Sequence, residues 1–173
     1  MDVLFVPGGY GTAEAIEDDA TMQFLARVGA QARYITSVCS GSVLLAAAGL
    51  LEGYRATTHW ACYDALAAFG VEVVRGERVV TDRNRVSGGG VTAGIDFGLT
   101  LLAQLRGEPL ARMSQLMMEY EPAPPFDAGS PQRAGAEAVE VVQNLVQDLD
   151  ARIKRTGERY RAHRGDAEAP RSR

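Results

Sequence analysis

The stretch Tyr34-Ile35-Thr36-Ser37-Val38-Cys39-Ser40-Gly41-Ser42-Val43-Leu44-Leu45-Ala46 constrains the fold more than any other part of the chain. Its first five residues are rich in β-branched side chains and read as a buried strand. Its last residues read as an apolar helix. Only Cys39-Ser40-Gly41-Ser42 separates the two. A strand that becomes a helix within one or two residues forces its pivot toward sparsely populated dihedrals, and Gly41 gives the backbone room. The pivot side chain is then presented above the end of the sheet. A cysteine there faces the N-terminal end of a helix, whose dipole and free N–H groups favour the thiolate. The thiolate is the form that attacks electrophiles and the form that oxidises. The competing reading of Cys39 is an inert core cysteine, since Cys is among the most buried residue types. The strand–Cys–small–Gly–small–helix context argues against it.

The rest of the chain fits the same plan. Val3-Leu4-Phe5-Val6 reads as a buried strand that stops at Pro7-Gly8-Gly9. Asp18 or Asp19 can cap a helix carrying Met22, Leu25 and Val28 on one face. Thr57-Thr58 gives a short strand ending at His59-Trp60, followed by a helix from about Tyr63 to Phe69. Val71–Val74, Arg78–Thr81 and Arg85–Ser87 read as strands, the last two joined by the tight turn Asp82-Arg83-Asn84. Gly88-Gly89-Gly90 leads to Thr92, a helix cap, and to Ile95, Leu99 and Leu102 at helical spacing. Alternating strands and helices predict a mainly parallel sheet covered on both faces. Ligands of such sheets sit beyond the carboxyl ends of the strands. Pro7-Gly8-Gly9, Cys39 and His59 each lie just past such an end, which makes them one candidate site. Four prolines between residues 120 and 131 form a break. After it, Ser130-Pro131 suits a helix start, and Val139, Val142, Leu145, Val146, Leu149 and Ile153 make one long apolar stripe. The expected organisation is an α/β domain over 1–130, an amphipathic helix over 131–164 and a disordered tail over 165–173.

Composition excludes several function classes. A chain of 173 residues, 46% hydrophobic and 23% charged, suits one globular domain with a real core. The net charge of −4 gives no overall basic field for nucleic acid. Residues 151–173 carry eight Lys/Arg against three Asp/Glu, a net of +5 that leaves −9 for residues 1–150. That basic end reads as a solvated helix terminus. Two cysteines without CxxC spacing make neither a disulfide framework nor a metal site. No signal peptide opens the chain, and its longest apolar stretch, Val43–Leu51, falls short of the roughly 20 residues a bilayer needs. The expectation is a cytoplasmic protein with free thiols, no metal and no membrane or nucleic-acid partner.

Around Cys39, chemistry requires donors and a proton carrier. The Gly8-Gly9-Tyr10-Gly11 loop and the amide of Ser40 are the natural N–H donors for charge developing on a substrate. His59 can accept or share the thiol proton, although a lone histidine often has a structural place. His163, in the basic tail, has no such context. Cys62 reads as buried, and Trp60 as core or pocket wall. Glu14, Glu17, Asp18 and Asp19 look like helix-start residues, and Asp96 sits in the first turn of its own helix, so no carboxylate stands out as the acid.

The segments Val6-Pro7-Gly8-Gly9, Val38-Cys39-Ser40-Gly41-Ser42, Ala47-Ala48-Gly49-Leu50-Leu51, Ala56-Thr57-Thr58-His59-Trp60 and Ser87-Gly88-Gly89-Gly90-Val91-Thr92-Ala93-Gly94-Ile95-Asp96 resemble the ThiJ/PfpI superfamily of glutamine-amidotransferase-like folds. Within it the chain most resembles the isonitrile hydratase branch, including Tyr120-Glu121-Pro122-Ala123-Pro124-Pro125-Phe126-Asp127-Ala128-Gly129. The resemblance implies a flavodoxin-like three-layer sandwich, a homodimer, a small-molecule substrate and no cofactor. It implies Cys39 as nucleophile and Gly9 and Ser40 as amide donors, with isonitrile and water giving an N-substituted formamide. Ser40 stands where that branch typically has Thr. The family also places a strand, a helix and a second strand, with the site acid, ahead of the Pro-Gly-Gly strand. This chain starts at Met1-Asp2-Val3, inside what corresponds to the third strand, so a truncated domain with an open sheet edge and without that acid is expected. The alternative is a non-catalytic regulatory domain, as in front of AraC-type DNA-binding regions, or a redox or stress sensor. No helix-turn-helix pair follows residue 130.

Overall fold

The computed structural model describes residues 2–168. A four-stranded sheet holds β1 (Val3–Pro7), β2 (Tyr34–Val38), β5 (Val79–Asp82) and β6 (Arg85–Gly88) in the order β1-β2-β6-β5. The first three neighbours run parallel and β5 pairs antiparallel to β6. A second, two-stranded sheet pairs β3 (Arg55–Ala56) with β4 (Glu72–Val73) in parallel. The fold is the expected flavodoxin-like α/β arrangement with a mostly parallel sheet. Register sets where loops can converge. Pro7 pairs with Val38, and Val38 pairs with Gly88. Three adjacent strands therefore end at one level, and the loops that leave them meet there.

The two faces of the large sheet are covered unequally. One face carries α1 (Thr12–Glu17), α2 (Asp19–Gly29), α3 (Gly41–Ala47), α4 (Tyr63–Ala67) and part of α8 (Ala136–Glu168). Leu4, Val6, Ile35, Val43, Leu45, Leu51, Leu66 and Ile153 make its core. The other face carries α5 (Ala93–Arg106) with α6 (Glu108–Met117) against it, and its core cluster is Val38, Val86 and Phe97. β1 is the terminal strand of the sheet, and its Phe5 is half exposed beside the Phe97 ring.

Local signals explain most element ends. Asp18 caps α2 by accepting from the Thr21 amide at 3.0 Å. Thr92 precedes α5 as expected, but its side chain makes no capping bond. The strand expected at Thr57-Thr58 lies instead at Arg55–Ala56. Thr57 turns out of the ladder because its amide donates to Ser87 Oγ at 2.9 Å. The helix expected to begin at 131 is a short turn, α7 (Pro131–Ala134), then α8, which starts at Ala136 and passes the expected boundary at 164 to reach Glu168. Residues 169–173 of the expected disordered tail lie outside the described residues. At 33 residues α8 is about 50 Å long. Its middle docks through Leu149, fully buried Ile153 and Gly157, whose Cα lies against Ala68. Arg152 pairs with Glu14 and Glu17 of α1. No helix among the described residues is long and apolar enough to cross a membrane.

Candidate active site

Cys39 is the pivot between β2 and α3 and has φ = 59°, a left-handed conformation that non-glycine residues rarely adopt. Several bonds hold it there. Its amide donates to the Gly88 and Gly89 carbonyls at 3.1 and 2.8 Å. Its carbonyl accepts from Thr58 Oγ1 at 2.9 Å and Ser42 Oγ at 3.2 Å. A strained backbone persists only where its surroundings over-determine it, and here four polar contacts do so. Cys39 is half-buried. It sits just ahead of α3, whose N-terminal amides precede the first bond of that turn, Val43 N–H to the Ser40 carbonyl.

Glycine is required where the elbow meets β1. A Cβ on Gly41 would lie 2.0 Å from the Val6 carbonyl oxygen. A Cβ on Gly8 would lie 2.4 Å from the Ser40 nitrogen and 2.8 Å from that of Gly41. The helix start and the end of β1 are thus in backbone-to-backbone contact. Sequence reasoning offered Gly8 and Gly9 as donors to a substrate, but both amides have other acceptors. Gly8 donates to the Val38 carbonyl at 3.0 Å, extending the ladder, and Gly9 donates to Ser40 Oγ at 3.0 Å. Ser40 is itself buried and hydrogen-bonded to Thr12 at 2.8 Å. Thr12, Ser42 and Thr58 were not singled out from the sequence as site residues, though all three shape the elbow.

His59 joins this cluster from the loop after β3. The neighbouring Thr58 bonds to Cys39, and Gly90 lies against the imidazole, where a Cβ would meet Cδ2 at 3.2 Å. His59 Nδ1 accepts from the Ala61 amide at 3.3 Å, which puts the proton of the neutral ring on Nε2. Burial lowers its pKa below the usual histidine value, so the neutral ring is favoured. A groove of about 1230 Å³ opens beside it, with Thr58, His59, Trp60, Val91, Phe126 and Val139 in its lining. Arg78, Asp96 and Tyr120 bond to one another at the groove's edge, with the Tyr120 hydroxyl donating to Asp96 at 3.0 Å. Asp96 is thus already engaged by two partners.

Cys62 lies in the 3-10 turn Trp60–Cys62 and is buried. Burial pushes its thiol up to about 12, with smaller contributions from nearby Cys39 and Asp150. Among the described residues no group of three His, Cys, Asp or Glu could hold a metal ion.

The chain is similar to several known proteins. Isonitrile hydratase of Pseudomonas putida is 54% identical over 140 residues, 81% of this chain and 61% of that protein. The HTH-type transcriptional regulator GbdR of Pseudomonas aeruginosa is 34% identical over 122 residues, 70% of this chain and 33% of its own. The crystal structure of a ThiJ/PfpI family protein from Pseudomonas syringae superposes with a TM-score of 0.86 at 51% identity, over 91% of this chain and 65% of that one. The chain thus spans less than two thirds of the length of each. Residues 1–104, which contain the whole elbow and its glycine loops, match the DJ-1/PfpI family, and this chain belongs to it.

Proposed function

We propose that this chain is the cysteine-bearing part of a hydratase that converts isonitriles to N-substituted formamides. The left-handed Cys39 at the start of α3 carries the reading, and the 54% identity to an isonitrile hydratase gives it a substrate. The S–H bond of Cys39 breaks, its sulfur adds to the terminal carbon of R–N≡C and its proton ends on that same carbon, giving the thioimidate Cys–S–CH=N–R. Water then adds to the same carbon, with one of its protons going to nitrogen. The C–S bond breaks, the hydroxyl proton returns to the departing sulfur, and HC(O)–NH–R departs, so the sum is one isonitrile plus one water. Negative charge that develops on oxygen in the second stage meets the amides at the start of α3, Ser40 first. His59, neutral and protonated on Nε2, acts as a hydrogen-bond donor rather than as a cationic acid.

The enzyme works as a cytoplasmic homodimer in this reading. The exposed apolar face of α6, with Met113, Leu116 and Met117, supports an interface there. Light scattering at twice 18.5 kDa is the expected result for this chain, and a monomer contradicts it. The activity test is formation of formamide from a simple alkyl isonitrile. Cys39→Ala is expected to lower kcat by about 1000-fold or more, the scale of removing a covalent nucleophile. Equal turnover by the two proteins removes the assignment. The similarity to GbdR supports a second reading, a ligand-sensing domain. Isonitrile binding without turnover by wild type is its signature.

A further inference from the structure

Thr12 opens α1, touches none of the reacting atoms, and is nonetheless 2% exposed. Its hydroxyl donates to the Gly9 carbonyl at 2.7 Å and lies 2.8 Å from Ser40 Oγ. Gly9 N–H donates to the same Ser40 oxygen at 3.0 Å. Each hydroxyl has one proton to give. With the Thr12 proton on Gly9, Ser40 is the donor between the two hydroxyls. The opposite assignment has Ser40 donating to the Gly9 carbonyl across 3.5 Å, a much poorer bond. The result is a closed ring: Gly9 N–H to Ser40 Oγ, Ser40 O–H to Thr12 Oγ1, Thr12 O–H back to Gly9 C=O. All three bonds point the same way round, an order in which each polarises the next.

We propose that Thr12 is a positioning residue for the Cys39 site, locking both ends of Gly9 against Ser40 and so leaving the α3 amides as the oxyanion donors. The proposal rests on the hydratase reading for its kinetic consequence but not for its geometry. The ring ties the glycine loop to the elbow across 28 positions of sequence. Opening it frees that loop beside the elbow that carries Cys39 and at the same time spoils the donor geometry. The two effects pull two rates in opposite directions.

The experiment compares wild type, Thr12→Val and Thr12→Ser. Hydration of an alkyl isonitrile and iodoacetamide alkylation of Cys39, mapped by mass spectrometry, are measured on each. In Thr12→Val we expect kcat to fall about tenfold with KM within about twofold, and alkylation to quicken about threefold. Thr12→Ser, which keeps the hydroxyl, is expected to restore both. The proposal is overturned if both rates stay at the wild-type value, or if both fall together with the melting temperature and serine restores neither. Wild type without isonitrile turnover defeats the hydratase reading alone, and the alkylation rates then decide the ring. Should Thr12→Val not fold, amide exchange in wild type replaces it. Gly9 N–H is expected to be protected at least about tenfold over an unstructured amide, and an unprotected Gly9 overturns the ring.

Discussion

Cys39 and Cys62 are the same side chain in opposite settings. Cys39 holds a left-handed φ at the point where a strand becomes a helix, half-buried and just ahead of helical amides. Cys62 ends a 3-10 turn inside the large core, near Asp150 and Lys154 of α8, with its thiol pushed up to about 12. Residue type does not separate them; backbone geometry does. A cysteine is an inert hydrophobe by default. Only the one that the chain must place at a strained turn is set up for chemistry.

The comparison can be broken by substitution. Cys39→Ala is expected to abolish formamide production, whereas Cys62→Ala should leave kcat within about threefold and cost about 1–2 kcal/mol in urea unfolding, the scale of a small core cavity. Loss of activity in both variants erases the distinction. The next largest effect is on the turn itself. Gly41→Ala puts a Cβ onto the Val6 carbonyl and should cost about 3 kcal/mol or prevent folding. Gly157→Ala, where a Cβ would lie 2.9 Å from that of Ala68, should cost only about 1 kcal/mol, because the outer helix can shift. Comparable losses at the two positions remove the claim that the elbow is the tighter contact.

Labelling sharpens the comparison without substitution. Under native conditions iodoacetamide should modify Cys39 at least about 100-fold faster than Cys62, and Cys62 should react readily only in urea. The smallest expected effect concerns pH. His59 is buried and its pKa lowered, so the unfolded chain binds the extra proton first as pH falls. Its contribution to stability is full above about the ordinary value of 6.5 and is lost as pH falls through the lower folded value. His59→Asn retains an acceptor for the Ala61 amide and removes the titration. Wild type should lose more stability than this variant between pH 7.5 and 5, with parallel curves contradicting the burial argument.

Much of the fold and part of the site were legible in the sequence because they are local. The Val38-Cys39-Ser40-Gly41 turn, the Asp18 cap and the sheet's parallel character follow from neighbouring residues. α6 was not among the expected elements, although Gly107-Glu108-Pro109 carries a start signal, since proline in the first turn opens helices. The uses of Gly8 and Gly9 were hidden for another reason. Flexible glycine amides look like free donors until the fold supplies their acceptors, Val38 O and Ser40 Oγ. Thr12 had no signal at all, since its partner lies on a different element.

The most direct test is to trap the intermediate. Wild-type protein mixed with an alkyl isonitrile and quenched in acid should gain the mass of one isonitrile, mapped to the Cys39 peptide, with no gain in Cys39→Ala. An adduct on Cys62 instead, or formamide formed without any adduct at Cys39 on the time scale of turnover, contradicts the account.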